Sequence, residues 1–404
     1  MRCNNKFFKM SQVLNKLHSK NIDIIVGVPS FNEEKNIGFV VKQVDKGIKK
    51  FYKSKKALIV NCDTGSTDNT KEAFFSVKTK TKKLHLETPN GVLGKGNGIK
   101  LLLQLAKKLK PKVVIINDSD LKSITPKWVK YHADPILNGY DFVVPFYERY
   151  KYDATITNNL CYLLIYGLFC YDIRQPIGGD FSFSGEMAEK FLKARWTKNT
   201  KYFGIDIFMT THAILNNARI CNINLGVKIH NPKDPGASLS PMFRQVVSTL
   251  FKVIVDNKGK IKKLRNVRSI PIFGEMKKGK AQSFDVDVER LKSRFIRGFI
   301  NYKHIIKKCL SKEDFTKLRS CVFYDKVCIL PDFWAKIVYD YILAYKKYEH
   351  MSSAVLRSFV PLWFGRVYTF VEQTAEMSTE KAEKLIREQA KEFYKQRDYL
   401  FGKL

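Results

Sequence analysis

Four strand-like stretches near the start of this 404-residue chain, each followed by a polar cluster, constrain its fold most. They occupy residues 22–30, 57–63, 82–88 and 112–118, and stretches with helical spacing separate them. Apolar strands that alternate with helices are typical of an α/β protein with a mostly parallel sheet. We therefore predict a Rossmann-like, mostly parallel sheet flanked by helices, with a helical region after it.

The second half of the chain changes character. Residues 256–281 are basic and loop-like, and the pattern from residue 287 onward is helical. The predicted organisation has four parts: a basic N-terminal extension over residues 1–20, a catalytic domain over 21–255, a basic linker over 256–285 and a helical C-terminal domain over 286–404.

The charge of the chain predicts an anionic partner. Its 72 lysines and arginines outnumber 38 acidic residues, which gives a formal net charge of +34. Nucleotides, acidic metabolites, nucleic acid and lipid headgroups all satisfy this preference. Residues 252–319 hold 20 of these cations against seven acids, although such a run is most often a solvated face. No zinc-finger spacing or RNA-binding motif accompanies it, which disfavours a nucleic-acid function. Peripheral contact with an anionic membrane stays open.

Cysteine usage and hydropathy indicate a cytoplasmic protein. The eight cysteines contain no CxxC pair, and scattered single cysteines are typical of reduced thiols. The N-terminal residues lack the apolar core of a signal peptide. The longest apolar run, residues 160–171, is shorter than the roughly 20 residues that a membrane span needs.

The polar clusters after the strands offer a binding site, because parallel sheets bind ligands at the carboxyl ends of their strands. Asp63 supplies an acceptor for a base or ribose. The glycines of "NGVLGKGNG", from Gly91 to Gly98, allow close backbone approach. Lys95 supplies a positive charge for a phosphate. The stretch fits neither GxGxxG nor a Walker motif, which disfavours a dinucleotide fingerprint and a P-loop.

The fourth cluster, "NDSD", is ambiguous when it is considered alone. Asp118 and Asp120 lie two residues apart after a strand, so an extended backbone points both carboxylates the same way. Such oxygens suit Mg²⁺ or Mn²⁺. The same pair can also cap the helix that follows. Four polar clusters at matching strand ends favour the metal site over the cap.

The ordered motifs VPSFNEE, an aspartate after the second strand, GKG and Asp-x-Asp resemble those of nucleotide-sugar glycosyltransferases with the A-type fold. The later segments "RYKYDATITNNL", "RQPIGGDFSFS", "FGIDIFMTTHAI" and "GVKIH" are similar to successive motifs of the mannosylglycerate synthases. The resemblance extends over about residues 20–250. It implies a retaining transferase that moves mannose from GDP-mannose to D-glycerate with the help of a divalent cation.

The resemblance also implies roles for individual residues. The expected metal ligands are Asp118, Asp120 and His230, and the expected catalytic residues are Asp206, Arg149 and Thr157. The expected donor-binding residues are Pro29, Glu33, Asp63, Lys95, Gly96, Asp118, Gly179 and Asp180. The expected acceptor-binding residues are Arg149, Asp153, Ala154, Thr157, Ile177 and Gly178. At position 180 the family has a glutamate where this chain has an aspartate.

Several alternatives remain open at this point. Glucosylglycerate synthase and glucosyl-3-phosphoglycerate synthase share the general plan, and a high positive charge suits a phosphorylated acceptor. A membrane-surface glycosyltransferase with a lipid acceptor is a further alternative. A homo-oligomer is compatible with the sequence.

Overall fold

The structure is a computed structural model that describes residues 21–229, 239–275, 279 and 281–404. The described residues contain eight strands, with these bounds: β1 Ile24–Ser30, β2 Ala57–Asp63, β3 Lys82–Glu87, β4 Val113–Ile116, β5 Phe142–Glu148, β6 Phe181–Ser184, β7 Ile220–Val227 and β8 Ile272–Phe273.

The α-helices have the following bounds: α1 Ile37–Phe51, α2 Thr70–Ser76, α3 Lys95–Leu109, α4 Pro126–Leu137, α5 Tyr162–Gly167, α6 Gly185–Lys193, α7 Ile205–Leu215, α8 Ser240–Asp256, α9 Lys258–Lys263, α10 Val288–Cys309, α11 Lys312–Phe323, α12 Pro331–Lys347, α13 Ser352–Thr374, α14 Thr379–Lys395 and α15 Arg397–Lys403. A π-helix, Thr157–Cys161, precedes α5 directly.

The strands form a single mixed sheet in the order β3-β2-β1-β4-β6-β5-β7-β8. Strand β6 runs antiparallel to both of its neighbours, and the remaining pairs are parallel. The first four strands therefore end at one edge of the sheet, which places the polar clusters that follow them side by side. The predicted fold class, a mostly parallel sheet flanked by helices with a helical C-terminal region, is confirmed.

Side-chain alternation divides the core into two layers. On β1, Ile25 belongs to one buried cluster, whereas Ile24 and Val26 belong to the other. The larger cluster continues into the C-terminal helices and includes the fully buried Trp334 and Trp363. The helical region thus packs against one face of the sheet and shares its hydrophobic core.

The structure adds detail at the start of α2 and corrects the loop that the sequence predicts after residue 256. The cap position of α2 is Asn69, and it makes no side-chain capping bond. Asp68 still accepts a hydrogen bond from the backbone nitrogen of Thr70 at 3.1 Å. The loop-like stretch after residue 256 contains the short helix α9 and strand β8, which extends the sheet by pairing with β7.

Two further observations concern the cysteines and the helices. The seven cysteines in the described part of the chain are all unbonded. Over the same residues, no helix combines the length and the apolar character that crossing a bilayer requires.

Candidate active site

A cavity of about 620 Å³ opens at the carboxyl ends of β1 and β4. It brings together residues that are far apart in the sequence. Thirteen of the predicted site residues line it: Pro29, Glu33, Lys95, Asp118, Asp120, Arg149, Asp153, Ala154, Thr157, Ile177, Gly178, Gly179 and Asp206.

Two lysines surround the first aspartate of the Asp-x-Asp pair. The Nζ of Lys95 lies 2.9 Å from Oδ1 of Asp118, and the Nζ of Lys228 lies 3.4 Å from Oδ2. Burial acts to raise the pKa of Asp118, but the two lysines outweigh burial and hold that pKa well below its ordinary value. Asp118 is therefore a carboxylate with a cation at each oxygen.

Lys95 links Asp118 to Asp206, which lies on the first turn of α7. The Nζ of Lys95 donates to Oδ2 of Asp206 at 3.3 Å. Oδ1 of Asp206 is buried and accepts no hydrogen bond within the described residues, although it lies 3.3 Å from the same ammonium. Burial raises the pKa of Asp206, with Lys95 opposing and Asp118 adding to the rise. Asp206 thus presents a poorly satisfied carboxylate oxygen at the cavity.

Asp180 lies behind this cluster and does not line the cavity. It is fully buried, accepts from the backbone nitrogen of Asp118 at 2.9 Å, and receives bonds from Lys228 and the Tyr147 hydroxyl. The structure therefore places this predicted donor contact in a supporting position. It holds the backbone of Asp118 and the ammonium of Lys228.

Asp63 and Gly96 are also predicted donor-binding residues that lie outside the cavity wall. Asp63 is buried, and its Oδ1 accepts from the backbone nitrogens of Gly65 and Ser66 at 2.9 and 2.7 Å. At Gly96, an added Cβ would lie 2.0 Å from the carbonyl oxygen of Thr200. Asp63 shapes the turn after β2, and Gly96 allows the start of α3 to lie close to the backbone of Thr200.

The carboxylates suit a hard divalent cation in their chemistry. Asp118 and Asp120 both line the cavity and offer only oxygen ligands. No group of three or more histidine, cysteine, aspartate or glutamate side chains is arranged for a metal within the described ranges. His230, the third predicted ligand, lies outside the described residues. The described part of the chain therefore supplies two of the three predicted ligands.

The predicted acceptor residues lie in the same cavity. Arg149 pairs with Asp153 at 2.8 Å, and its Nε donates to Gln175 at 3.4 Å. Ala154 has a φ of +58°, which is uncommon for a residue with a side chain. Thr157 begins the π-helix, a form that is frequent at functional sites.

The geometry requires a glycine at position 179, which lines the cavity beside Asp118. Its φ is +93°, and an added Cβ would lie 2.3 Å from Oδ2 of Asp118. Only glycine combines this backbone conformation with so close an approach to a carboxylate. The adjacent Gly178 accepts from the Nζ of Lys228 at 3.0 Å through its carbonyl oxygen.

The sequence reasoning missed several cavity residues. Lys228 is the most notable, and it lies in the quoted segment "GVKIH" two residues before His230. Gln175 was also missed. An apolar wall was not anticipated, because its residues come from distant loops and from α8. The residues that form this wall are Phe31, Leu93, Phe203, Leu239, Met242 and Val246.

Comparison with known proteins shows a similarity to one family over the first half of the chain. Residues 25–191, from β1 into α6, match the model of "Glycosyl transferase family 2". This match covers 167 of the 404 residues. It contains the Asp-x-Asp pair and most of the cavity. A search of curated proteins found no match.

Solved structures similar to this chain include glucosyl-3-phosphoglycerate synthase from Mycobacterium tuberculosis. Its complex with Mn²⁺, uridine diphosphate and phosphoglyceric acid is 23% identical, with a TM-score of 0.46, over 59% of this chain and 82% of that one. Its complex with Mg²⁺ and uridine diphosphate gives the same identity, TM-score and share of this chain, and covers 83% of its own. A further mycobacterial protein is 25% identical over 59% of this chain and 78% of its own, with a TM-score of 0.46.

Proposed function

We propose that this protein is a metal-dependent, retaining glycosyltransferase that moves a hexosyl group from a nucleoside diphosphate sugar to a small hydroxy acid. The pair that the sequence resemblance favours is GDP-mannose and D-glycerate, which would yield 2-O-α-mannosyl-D-glycerate, a compatible solute. One observation carries the proposal. A single cavity, lined mostly by residues of the region that matches the glycosyl transferase model, holds the Lys95–Asp118–Lys228 cluster together with the guanidinium of Arg149.

The lysine and aspartate cluster suits the donor. Two ammonium groups beside Asp118 offer positive charge to a diphosphate. Asp118 and Asp120, with the predicted ligand His230, would hold Mg²⁺ or Mn²⁺, and the cation would offset charge on the departing nucleoside diphosphate. Pro29 and Glu33 line the same cavity and are proposed to contact the nucleotide.

Arg149 suits the acceptor. A guanidinium binds a carboxylate through parallel hydrogen bonds, and Arg149 lines the cavity. Gln175 accepts from the Nε of Arg149 and Asp153 accepts from its Nη1, and these two contacts fix the plane of the guanidinium. Thr157, Ile177 and the backbone at Gly178 are proposed to position the rest of the hydroxy acid.

In the proposed reaction, the bond between the anomeric carbon and the diphosphate oxygen breaks as the acceptor oxygen bonds to the same carbon. The acceptor proton passes to the departing diphosphate oxygen. Asp206, with its poorly satisfied carboxylate, stabilises positive charge on the sugar. Attack from the same face as the leaving group retains the anomeric configuration, so an inverted product in an NMR spectrum would contradict this step.

A panel of donors and acceptors tests the proposal. GDP-mannose, GDP-glucose and UDP-glucose would each be incubated with D-glycerate, 3-phosphoglycerate or glycerol, with Mg²⁺ or Mn²⁺, and the products read by mass spectrometry. We expect mannosylglycerate, with far less product in the variant Asp120→Ala. Transfer to none of the hydroxy acids would overturn the proposal. The cytoplasmic location, the contact with anionic membranes and the homo-oligomer remain predictions.

A further inference from the structure

The acceptor loop, defined here as residues 149–159, has two faces. Arg149, Asp153, Ala154 and Thr157 line the cavity. The other face of the loop contacts the C-terminal helices, through residues that lie 175 to 226 positions further along the chain. The conformation of the loop therefore depends on contacts outside the domain that carries the donor cluster.

Lys151 makes the strongest of these contacts. It is buried, and its Nζ donates to the carbonyl oxygens of Thr374 at 2.6 Å, Ala375 at 2.9 Å and Met377 at 2.7 Å. The last carbonyls of a helix have no partner within the helix, and a positive charge there is favourable. Lys151 thus uses all three of its ammonium hydrogens to bind the last residue of α13 and the turn that follows it.

Neighbouring residues of the loop are tied to the same helical region. The hydroxyl of Tyr152 donates to the carbonyl oxygen of Val371 at 3.2 Å. The indole nitrogen of Trp334 donates to the carbonyl oxygen of Asn159 at 2.7 Å. The helices therefore hold both ends of the segment that presents Asp153, Ala154 and Thr157 to the cavity.

The loop needs such support because part of it is strained. Ala154 has a φ of +58°, and a residue with a side chain pays roughly 1 kcal/mol or more for that conformation. Strain of this kind persists where the surroundings over-determine the backbone. Ala154 lies immediately after Asp153, the partner of Arg149, so relaxation at Ala154 would move the ion pair that orients the guanidinium.

We propose that Lys151 is a positioning residue for the acceptor, which acts by fixing the acceptor loop to the end of α13. This proposal rests on the proposed function in one respect, which is that the acceptor loop binds the acceptor. Lys151 does not line the cavity, so its effect passes through Arg149 and Asp153. The donor cluster lies on other elements and is expected to keep its geometry when Lys151 is replaced.

Steady-state kinetics of Lys151→Met test the proposal, with the hydroxy acid that the wild-type protein uses best as acceptor. We expect the acceptor KM to rise by about 10- to 100-fold, while the donor Kd and slow donor hydrolysis stay within about twofold of wild type. Lys151→Arg should recover part of the loss. Lys346→Met is a matched control, because Lys346 also donates to a C-terminal carbonyl, that of Leu404 at 2.6 Å, at an exposed position. An unchanged acceptor KM, or an equal loss in donor binding, would overturn the proposal.

Hydrogen exchange keeps this test separate from the fate of the proposed function. If the wild-type protein transfers sugar to no hydroxy acid, the proposed function fails, but faster exchange confined to residues 150–158 in Lys151→Met would still support the positioning role. Unchanged exchange there would contradict it. If Lys151→Met does not fold, Tyr152→Phe removes the hydroxyl that contacts Val371 and Thr374 and keeps the ring that lines the cavity. It should raise the acceptor KM by a smaller factor, and no rise would count against the proposal.

Discussion

Replacement of Lys95 by methionine tests the electrostatics of the cavity without any knowledge of the substrate. Methionine keeps the length of the side chain but removes the charge that lies 2.9 Å from Oδ1 of Asp118 and 3.3 Å from Oδ1 of Asp206. Asp118 would keep Lys228 as a partner. Asp206 would lose the cation that opposes the effect of its burial.

The expected magnitude follows from these distances. At an effective dielectric constant of about 20, each contact contributes about 5–6 kcal/mol of attraction, most of which offsets the cost of burying the charges. Removal of one partner from a buried ion pair typically costs about 3–5 kcal/mol. The double variant Lys95→Met/Asp206→Asn no longer leaves Asp206 as an unpaired buried charge. It should therefore recover about 2 kcal/mol relative to the sum of the single changes.

Urea denaturation of the four proteins in this cycle measures the free energies of unfolding. Lys252→Met is a matched control, because Lys252 also bridges two acids, Asp256 at 3.0 Å and Glu349 at 3.4 Å, on a more exposed surface. It should cost less than about 1 kcal/mol. Additivity within about 0.5 kcal/mol for Lys95 and Asp206 would refute the argument that the two groups form a coupled buried pair.

Three further predictions concern glycine, histidine and aspartate. Gly179→Ala should lower activity by more than about 100-fold, whereas Gly91→Ala, at a φ of +78° in open space, should keep activity near wild type; equal losses would contradict the contact with Asp118. Burial lowers the pKa of His132 to about 3. As pH falls, His132 is therefore protonated in the unfolded chain before it is protonated in the folded protein. Stability should then drop by about 1.4 kcal/mol per pH unit below pH 6.5, and His132→Gln should flatten that slope in urea titrations. Because the pKa of Asp206 is raised, we predict that kcat/KM falls on acidification at a pH above the usual pKa range of aspartate. An acid limb that is unchanged in Asp206→Asn would exclude this assignment.

The regular elements of the first half were predictable because their apolar patterns are strong. Strand β2 occupies the predicted residues 57–63, since an uninterrupted apolar run between polar turns leaves little choice. The π-helix and strand β8 were not predicted. The π-helix is fixed by contacts such as that between Asn159 and Trp334. Strand β8 has two exposed residues and exists only because β7 offers it an edge.

Sequence reasoning predicted which residues form the candidate site better than it predicted how they are arranged. Strand-end reasoning placed Lys95, Asp118 and Asp120 together, since parallel strands end at one edge. It could not tell that Asp180 lies behind Asp118, because the antiparallel insertion of β6 beside β4 is a property of the whole sheet. Lys228 escaped notice because its meaning depends on Asp118, which lies 110 residues earlier in the chain.

The most direct test of the proposed function is the ability of the protein to distinguish D-glycerate from D-glyceramide, which has the same shape but lacks the carboxylate charge. Initial rates with GDP-mannose would be measured for wild type and for Arg149→Met. We predict that wild type prefers glycerate by about 100-fold or more, since a charge-assisted pair with a guanidinium contributes about 3 kcal/mol, and that Arg149→Met loses most of this preference. Equal rates with both acceptors in wild type, or an unchanged preference in the variant, would contradict the assignment of Arg149 and of a hydroxy-acid acceptor.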